Sequence, residues 1–102
     1  MSSKLVFRIH ESYRKVVAVC DAELVGKKFE EGIKQLEVRE SFYKSQESDS
    51  EEIIEMMRRL TAEDATFNIV GKNSVNAAMK AGIIDEENIG KVQGVPFALV
   101  LI

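Results

Sequence analysis

Ala65-Thr66-Phe67-Asn68-Ile69-Val70-Gly71-Lys72-Asn73-Ser74-Val75-Asn76-Ala77-Ala78-Met79-Lys80-Ala81-Gly82 reads as a strand, a tight turn and a short helix. Ala65, Phe67 and Ile69 alternate with Thr66, Asn68 and Val70, the period of two expected of a half-buried strand. Gly71 supplies the backbone freedom a sharp turn needs. After Asn73, the residues Val75, Ala78 and Met79 share one helical face, and Gly82 stands where a left-handed residue ends a helix. This order aims the free N–H groups of a helix start, together with Lys72, beyond the strand end, where an anion is favoured. Gly71, Lys72, Asn73 and Ser74 are therefore candidate ligand-binding residues, with Asn68 on the strand that leads to them. Capping by Asn73 or Ser74 explains the same residues without a ligand.

Upstream, Leu5, Phe7 and Ile9 alternate with Val6, Arg8 and His10, and Val16-Val17-Ala18-Val19-Cys20 is continuously apolar. The first suits a half-buried strand and the second a strand covered on both faces; the polar stretch His10 to Arg14 joins them as a hairpin. Asp21 closes the run and is expected to cap the segment that follows it. Leu24, Val25, Lys28 and Phe29 fall at helical spacing, with Gly26 inside and Gly32 at the exit. Leu36 and Val38 alternate with Gln35, Glu37 and Arg39 as a third strand, whose apolar side Phe42 and Tyr43 extend. Glu47 to Glu52 is an acidic run, but Ile53, Met56, Met57 and Leu60 follow it at helical spacing. It reads as a helix start, with capping-box spacing from Ser48 to Glu51 and from Asp49 to Glu52, and with Arg58 and Arg59 at the other end.

Downstream of Gly82, Asp85 to Asn88 is a turn or one-turn helix. Gly94-Val95-Pro96 then introduces Phe97-Ala98-Leu99-Val100-Leu101-Ile102, the most apolar run of the chain. Such a tail needs cover on both faces, as an inner strand or against a partner.

With 102 residues the chain is one domain, 1–102, and buries about 65% of its unfolded surface. Hydrophobic residues at 45% and charged residues at 30% describe an ordinary globular chain rather than a disordered one. A net charge of -3 argues against broad attachment to nucleic acid or anionic lipid. The single cysteine, Cys20, has no internal partner, and neither a signal-like start after Met1 nor a run of about 20 apolar residues is found. A cytoplasmic location and no membrane association are the expectations.

Nothing in the residues names a reaction. The phosphate-loop pattern fails at Thr66 and Asn73 around Lys72, and at Asp21 and Lys28 around Lys27. One His and one Cys do not make a metal set, so no metal and no cofactor are expected. A Cys20–His10 dyad across the hairpin competes with a buried structural thiol, and Asp21 as general base competes with Asp21 as a cap. RNA binding would require Arg8, Arg14, Lys15, Lys27, Lys28, Phe42, Tyr43, Lys44 and Lys72 to meet on one surface.

Five pieces, in order, resemble an archaeal family of small proteins, domain of unknown function 424. They are Val16 to Asp21, Leu24-Val25-Gly26-Lys27-Lys28-Phe29, Phe42-Tyr43-Lys44, Asn68-Ile69-Val70-Gly71-Lys72 with Ser74-Val75, and Gly94-Val95-Pro96. Ser45 and Phe97 depart from the pattern. The resemblance implies an archaeal cytoplasmic protein of compact mixed fold and supplies no catalytic residue.

The expected fold is α+β: a mixed, mainly antiparallel sheet from segments near residues 4–10, 15–20, 34–39, 65–70 and 97–102, with helices 51–61 and 74–81 packed on it. The expected function is a non-enzymatic binding module recognising RNA or a ribosome component through Lys27, Lys72 and Asn73, with Asp21 a further candidate. The alternatives are an enzyme or sensor for a small anion held at the Gly71–Lys72 helix start, and an interaction subunit or homodimer using Phe97–Ile102.

Overall fold

The computed structural model describes residues 4–11 and 13–101. Met1 to Ser3, Ser12 in the expected hairpin turn and Ile102 of the apolar tail lie outside the described residues. Six strands form one sheet: β1 (Leu5–His10), β2 (Val16–Asp21), β5 (Gln46–Ser48), β6 (Thr66–Val70), β7 (Gly90–Val92) and β8 (Val95–Val100), in the order β5-β1-β2-β6-β8-β7. β2 and β6 are parallel, with Cys20 beside Val70, and the other pairs of this sheet are antiparallel. Two short strands, β3 (Lys28–Glu31) and β4 (Lys34–Glu37), pair only with each other.

The helices α2 (Ser50–Thr61) and α3 (Lys72–Ala81) lie side by side on one face of the sheet. Their stripes, Ile53, Met56, Met57 and Leu60 on α2 with Val75, Ala77 and Ala78 on α3, meet Leu5, Val17, Val19, Phe67 and Ile69 in a single buried cluster. Each of the larger of these side chains contributes roughly 1.5–3 kcal/mol by leaving water. Asp49 caps α2 by accepting from the Glu52 N–H at 2.9 Å, and the Ser48 hydroxyl donates to the Glu52 carboxylate at 2.9 Å. From Asp49 onward the acidic run is thus a helix start, whereas Glu47 and Ser48 belong to β5 and the Ser48 hydroxyl bonds Glu52 in place of the expected Glu51.

The opposite face is covered by the 3-10 turn Ala22–Leu24, the β3–β4 hairpin and the short helix α1 (Glu40–Tyr43), which pack Val38 and Tyr43 on Val6, Ala18, Cys20 and Val70. Here the structure corrects three expectations. The helix expected across Leu24 to Phe29 is a single 3-10 turn, because Gly26 at φ +86 leaves helical backbone and sends the chain into β3. The strand expected at 34–39 is β4, outside the main sheet; Phe29 and Leu36 face inward while Lys28, Glu30, Lys34 and Gln35 stay in water. Phe42 and Tyr43 form α1 rather than a strand, with the Phe42 ring stacked on His10 at 4.5 Å.

Both edge strands of the main sheet, β5 and β7, are three residues long. Of the apolar tail only Phe97 has a strand on both sides, Val70 of β6 and Gly90 of β7; Ala98, which is buried, to Val100 pair with β6 alone.

Candidate functional site

The parallel register of β2 and β6 sets Asp21 and Gly71 side by side, each one residue beyond the Cys20–Val70 pair. From there the Asp21 carboxylate reaches the first turn of α3. It accepts from the Asn73 N–H at 3.1 Å, the Ser74 N–H at 2.8 Å and the Ser74 hydroxyl at 2.8 Å. Asp21 is 2% exposed and Ser74 fully buried. A carboxylate placed on free N–H groups at a helix start gains both hydrogen bonds and the favourable end of the helix dipole. No side chain caps the 3-10 turn that follows Asp21, so the expected local cap is corrected to a long-range one.

Gly71 makes this approach feasible. Its φ of +108 and ψ of 153 belong to a region that only glycine visits freely, and a Cβ there would stand 2.5 Å from the Asp21 carboxyl carbon. The Gly71 N–H donates to the Pro96 carbonyl at 2.8 Å, tying the junction to β8.

The anion position at the tip of α3 is therefore filled from within. An external phosphate at the Asn73 and Ser74 N–H groups would have to displace Asp21. Of the seven residues singled out from the sequence, Asp21, Gly71, Asn73 and Ser74 come together, and Lys72 is exposed beside them. The other two lie elsewhere: Asn68 is half-buried in mid-strand between Ala18 and Leu99, and Lys27 enters β3 in the hairpin layer.

Along the flank of α3, a groove of about 370 Å³ opens between the helix and the β7–β8 hairpin. Val75, Met79, Ile89 and Pro96 line it with apolar surface, and Lys72, Asn73, Asn76 and Lys91 line it with polar groups. No carboxylate lines it. Neither Lys72 nor Lys91 takes part in an ion pair among the described residues. Lys91 escapes a reading of the sequence because β7 is too short to show a period, and its pairing with Pro96 exists only once the hairpin closes.

Other depressions offer less to an anion. One between α2 and the β1–β5 edge includes Glu52 and Glu55; another at the β1–β2 loop includes Glu11, Glu63 and Asp64. In the latter, Lys15 is bound to Glu63 at 2.9 Å, a hydrogen bond that raises the lysine pKa and lowers that of the glutamate.

The basic residues considered for RNA are spread over the molecule. Arg14 and Lys15 precede β2, whereas Lys72 follows its parallel neighbour β6, so they stand at opposite ends of the sheet. Lys28 pairs with Glu30 at 3.3 Å, and Tyr43 is buried. The Cys20–His10 dyad does not form either: Cys20 pairs with Val6 and His10 with Val16, four positions apart along the ladder, roughly 13 Å. Burial, reinforced by the Asp21 and Glu23 charges, pushes the Cys20 thiol up to about 12, which leaves it protonated and unreactive. Among the described residues no group of three His, Cys, Asp or Glu side chains converges as a metal site, and no helix is long and apolar enough to cross a membrane.

No curated protein matches the chain. A crystal structure of an uncharacterized conserved protein from Methanopyrus kandleri has the same fold, with a TM-score of 0.86 at 23% identity over 96% of this chain and 90% of that one. Its archaeal source agrees with the resemblance drawn from the sequence. The family described as protein of unknown function (DUF424) matches residues 9–102, and this chain belongs to that family.

Proposed function

We propose that the chain is a binding module whose ligand is a small amphipathic anion, an apolar body carrying one phosphate or carboxylate, held in the groove between α3 and the β7–β8 hairpin. The observation that carries this reading is the presence of two ammonium groups, Lys72 from α3 and Lys91 from β7, without an ion pair or a lining carboxylate among the described residues, beside an apolar floor. Asp21 directs the ligand to the flank of α3, since it already holds the N–H groups at the tip. Asn73 and Asn76 add side-chain donors that orient the anionic head. The groove lining brings no cysteine, histidine or carboxylate beside the lysines among the described residues to act as a general base, which favours binding over catalysis.

Two exposed ammonium contacts contribute at most about 1 kcal/mol each. Apolar burial adds a few more, and the cost of association offsets much of it. Affinities of about 0.1–1 mM are the expectation.

A titration followed by amide NMR tests this with phenyl phosphate and hexanoate as probes, inorganic phosphate and benzyl alcohol as controls, and a single-stranded RNA oligonucleotide as a third arm. Saturable shifts at Asn76, Met79, Ile89 and Lys91 with the amphipathic anions alone support the reading. Salt-sensitive RNA binding weakened by Lys72→Ala, without a response to the small anions, would transfer the site to RNA or a translation component. Silence in both arms would remove it.

A further inference from the structure

At the β5 edge, across the sheet from the α3 groove, the helix face is not fully covered. β5 accompanies β1 only as far as Phe7, whose carbonyl also accepts from the Ser45 N–H at 3.1 Å, and no strand stands on that side of Ile9 among the described residues. Leu5, Phe7 and Ile9 share the helix face by the period of two. Leu5 is buried, whereas Phe7 and Ile9 are half-buried. With Met56 of α2 they floor a groove of about 350 Å³.

One stripe of α2 supplies the wall. Glu52, Glu55, Met56 and Arg59 recur at spacings of three and four, so they lie along one side of the helix. The buried Ser48 hydroxyl donates to one Glu52 oxygen at 2.9 Å, which holds that carboxylate at the groove; the second oxygen accepts no bond among the described residues. Glu55 and Arg59 have the spacing and the order, acid before base, in which helical side chains pair. They form no ion pair with each other among the described residues. Glu63, a further carboxylate whose charge Arg59 influences, is already bonded to Lys15 at 2.9 Å.

Charge complementarity selects the occupant. A simple anion meets two like charges here, and a simple amine leaves the guanidinium unused. A zwitterion uses every charge of the lining. Its ammonium group relieves the repulsion between the neighbouring Glu52 and Glu55, and its carboxylate fits the planar fork of Arg59. In an α-amino acid both charges sit beside one carbon, which leaves the side chain to enter the apolar floor. The volume stands at the low end of the roughly 300–1,000 Å³ of ligand pockets, a size for an amino acid rather than a nucleotide.

We propose that this groove binds a free α-amino acid with a large apolar side chain, its ammonium group on Glu52 and Glu55, its carboxylate on Arg59 and its side chain on Phe7, Ile9 and Met56. The site lies on the opposite edge of the sheet from Lys91 and does not rest on the reading of the α3 groove.

Amide NMR titration of the full chain with leucine tests the proposal. Three truncated probes accompany it: 3-methylbutylamine, which lacks the carboxylate, 4-methylpentanoate, which lacks the ammonium group, and glycine, which lacks the side chain. The expected result is saturable shifts at Ile9, Ser48, Met56 and Arg59 with a dissociation constant of about 1–5 mM for leucine, and binding about fivefold weaker or worse for each truncated probe. Shifts of 4-methylpentanoate at Asn76 and Lys91 belong to the α3 groove and are read apart from these. Arg59→Gln should weaken leucine about fivefold and leave 3-methylbutylamine unchanged, whereas Glu55→Gln should weaken leucine and leave 4-methylpentanoate no weaker, with circular dichroism showing both variants folded. Leucine that binds no better than the amine or the acid, variants that weaken every probe alike, or no shift at these four residues up to about 20 mM leucine would overturn the proposal.

Discussion

The carboxyl carbon of Asp21 lies 2.5 Å from the point that a Cβ on Gly71 would occupy. Aspartate and glycine, fifty positions apart in the chain, therefore fit only as a pair: the glycine leaves the space through which the carboxylate reaches Asn73 and Ser74. The strand end, the turn and the helix start become one unit, and the site that chemistry would assign to an external anion is occupied by an internal one.

Removing the carboxylate tests that unit. Asp21→Ala leaves two N–H groups of α3 and the buried Ser74 hydroxyl without their acceptor, at an expected cost of about 2–4 kcal/mol in urea unfolding. The double variant Asp21→Ala, Ser74→Ala should lose less than the sum of the two single changes, because the second change removes one of the orphaned groups. A cost for Asp21→Ala below about 0.5 kcal/mol, as for an ordinary surface change, contradicts this account.

Gly71→Ala should be at least as damaging, about 2–4 kcal/mol, since the methyl group collides with Asp21 and the backbone at φ +108 is strained for an L-residue. In the Asp21→Ala background the contacts with the carboxyl group are gone and the tight approach to the residue 21 Cβ, 2.9 Å, is left with the backbone strain, so the cost of Gly71→Ala should fall without vanishing. Equal costs in both backgrounds would mean that Asp21 does not occupy the space above Gly71.

Much of this was legible in the sequence. The apolar run Val16 to Cys20, the alternation through Ile69 and the stripe from Ile53 to Leu60 each carry a clear period, and Asp49 and Gly82 mark the ends of their helices where local chemistry places them. The role of Asp21 was not legible, because it depends on a parallel register between β2 and β6 that no local pattern encodes. A nearer helix start was on offer at Ala22, and the tertiary partner won. Leu24, Val25, Lys28 and Phe29 misled for a related reason: over so short a span, helical spacing and a turn followed by a strand look alike. Lys91 carried no signal at all, as a three-residue edge strand has no period to detect.

Alkaline pH should destabilise the fold through its buried thiol and phenol. Burial raises Cys20 from 9.0 to about 12 and Tyr43 from 10.0 to about 12. Both groups are held protonated in the folded chain. Their contribution is complete below the unfolded values and is lost as pH rises through the window from 9.0 to about 12, where the unfolded chain binds fewer protons. The midpoint of thermal unfolding is expected to fall across that window, less steeply in Cys20→Ala. A flat profile up to pH 11 would contradict the burial of both groups. In the same protein, alkylation of Cys20 at neutral pH should proceed only as fast as the chain unfolds.

The groove lysines should behave in the opposite way to Asp21 and Gly71. Lys72→Ala and Lys91→Ala remove exposed ammonium groups that have no ion pair among the described residues, so stability should change by less than about 0.5 kcal/mol. The affinity for phenyl phosphate should fall several-fold in each variant. Loss of stability without loss of affinity would mean that these lysines serve the fold instead.

The most direct measurement is amide hydrogen exchange at Asn73 and Ser74, read with and without saturating phenyl phosphate. With Asp21 as the resident anion, both N–H groups are already protected in the free protein and stay unchanged on binding, while Asn76, Ile89 and Lys91 shift along the flank of α3. Fast exchange at Asn73 and Ser74 in the free protein, slowed only when the phosphate arrives, would show that the tip of the helix is vacant and takes the ligand itself, contradicting the account.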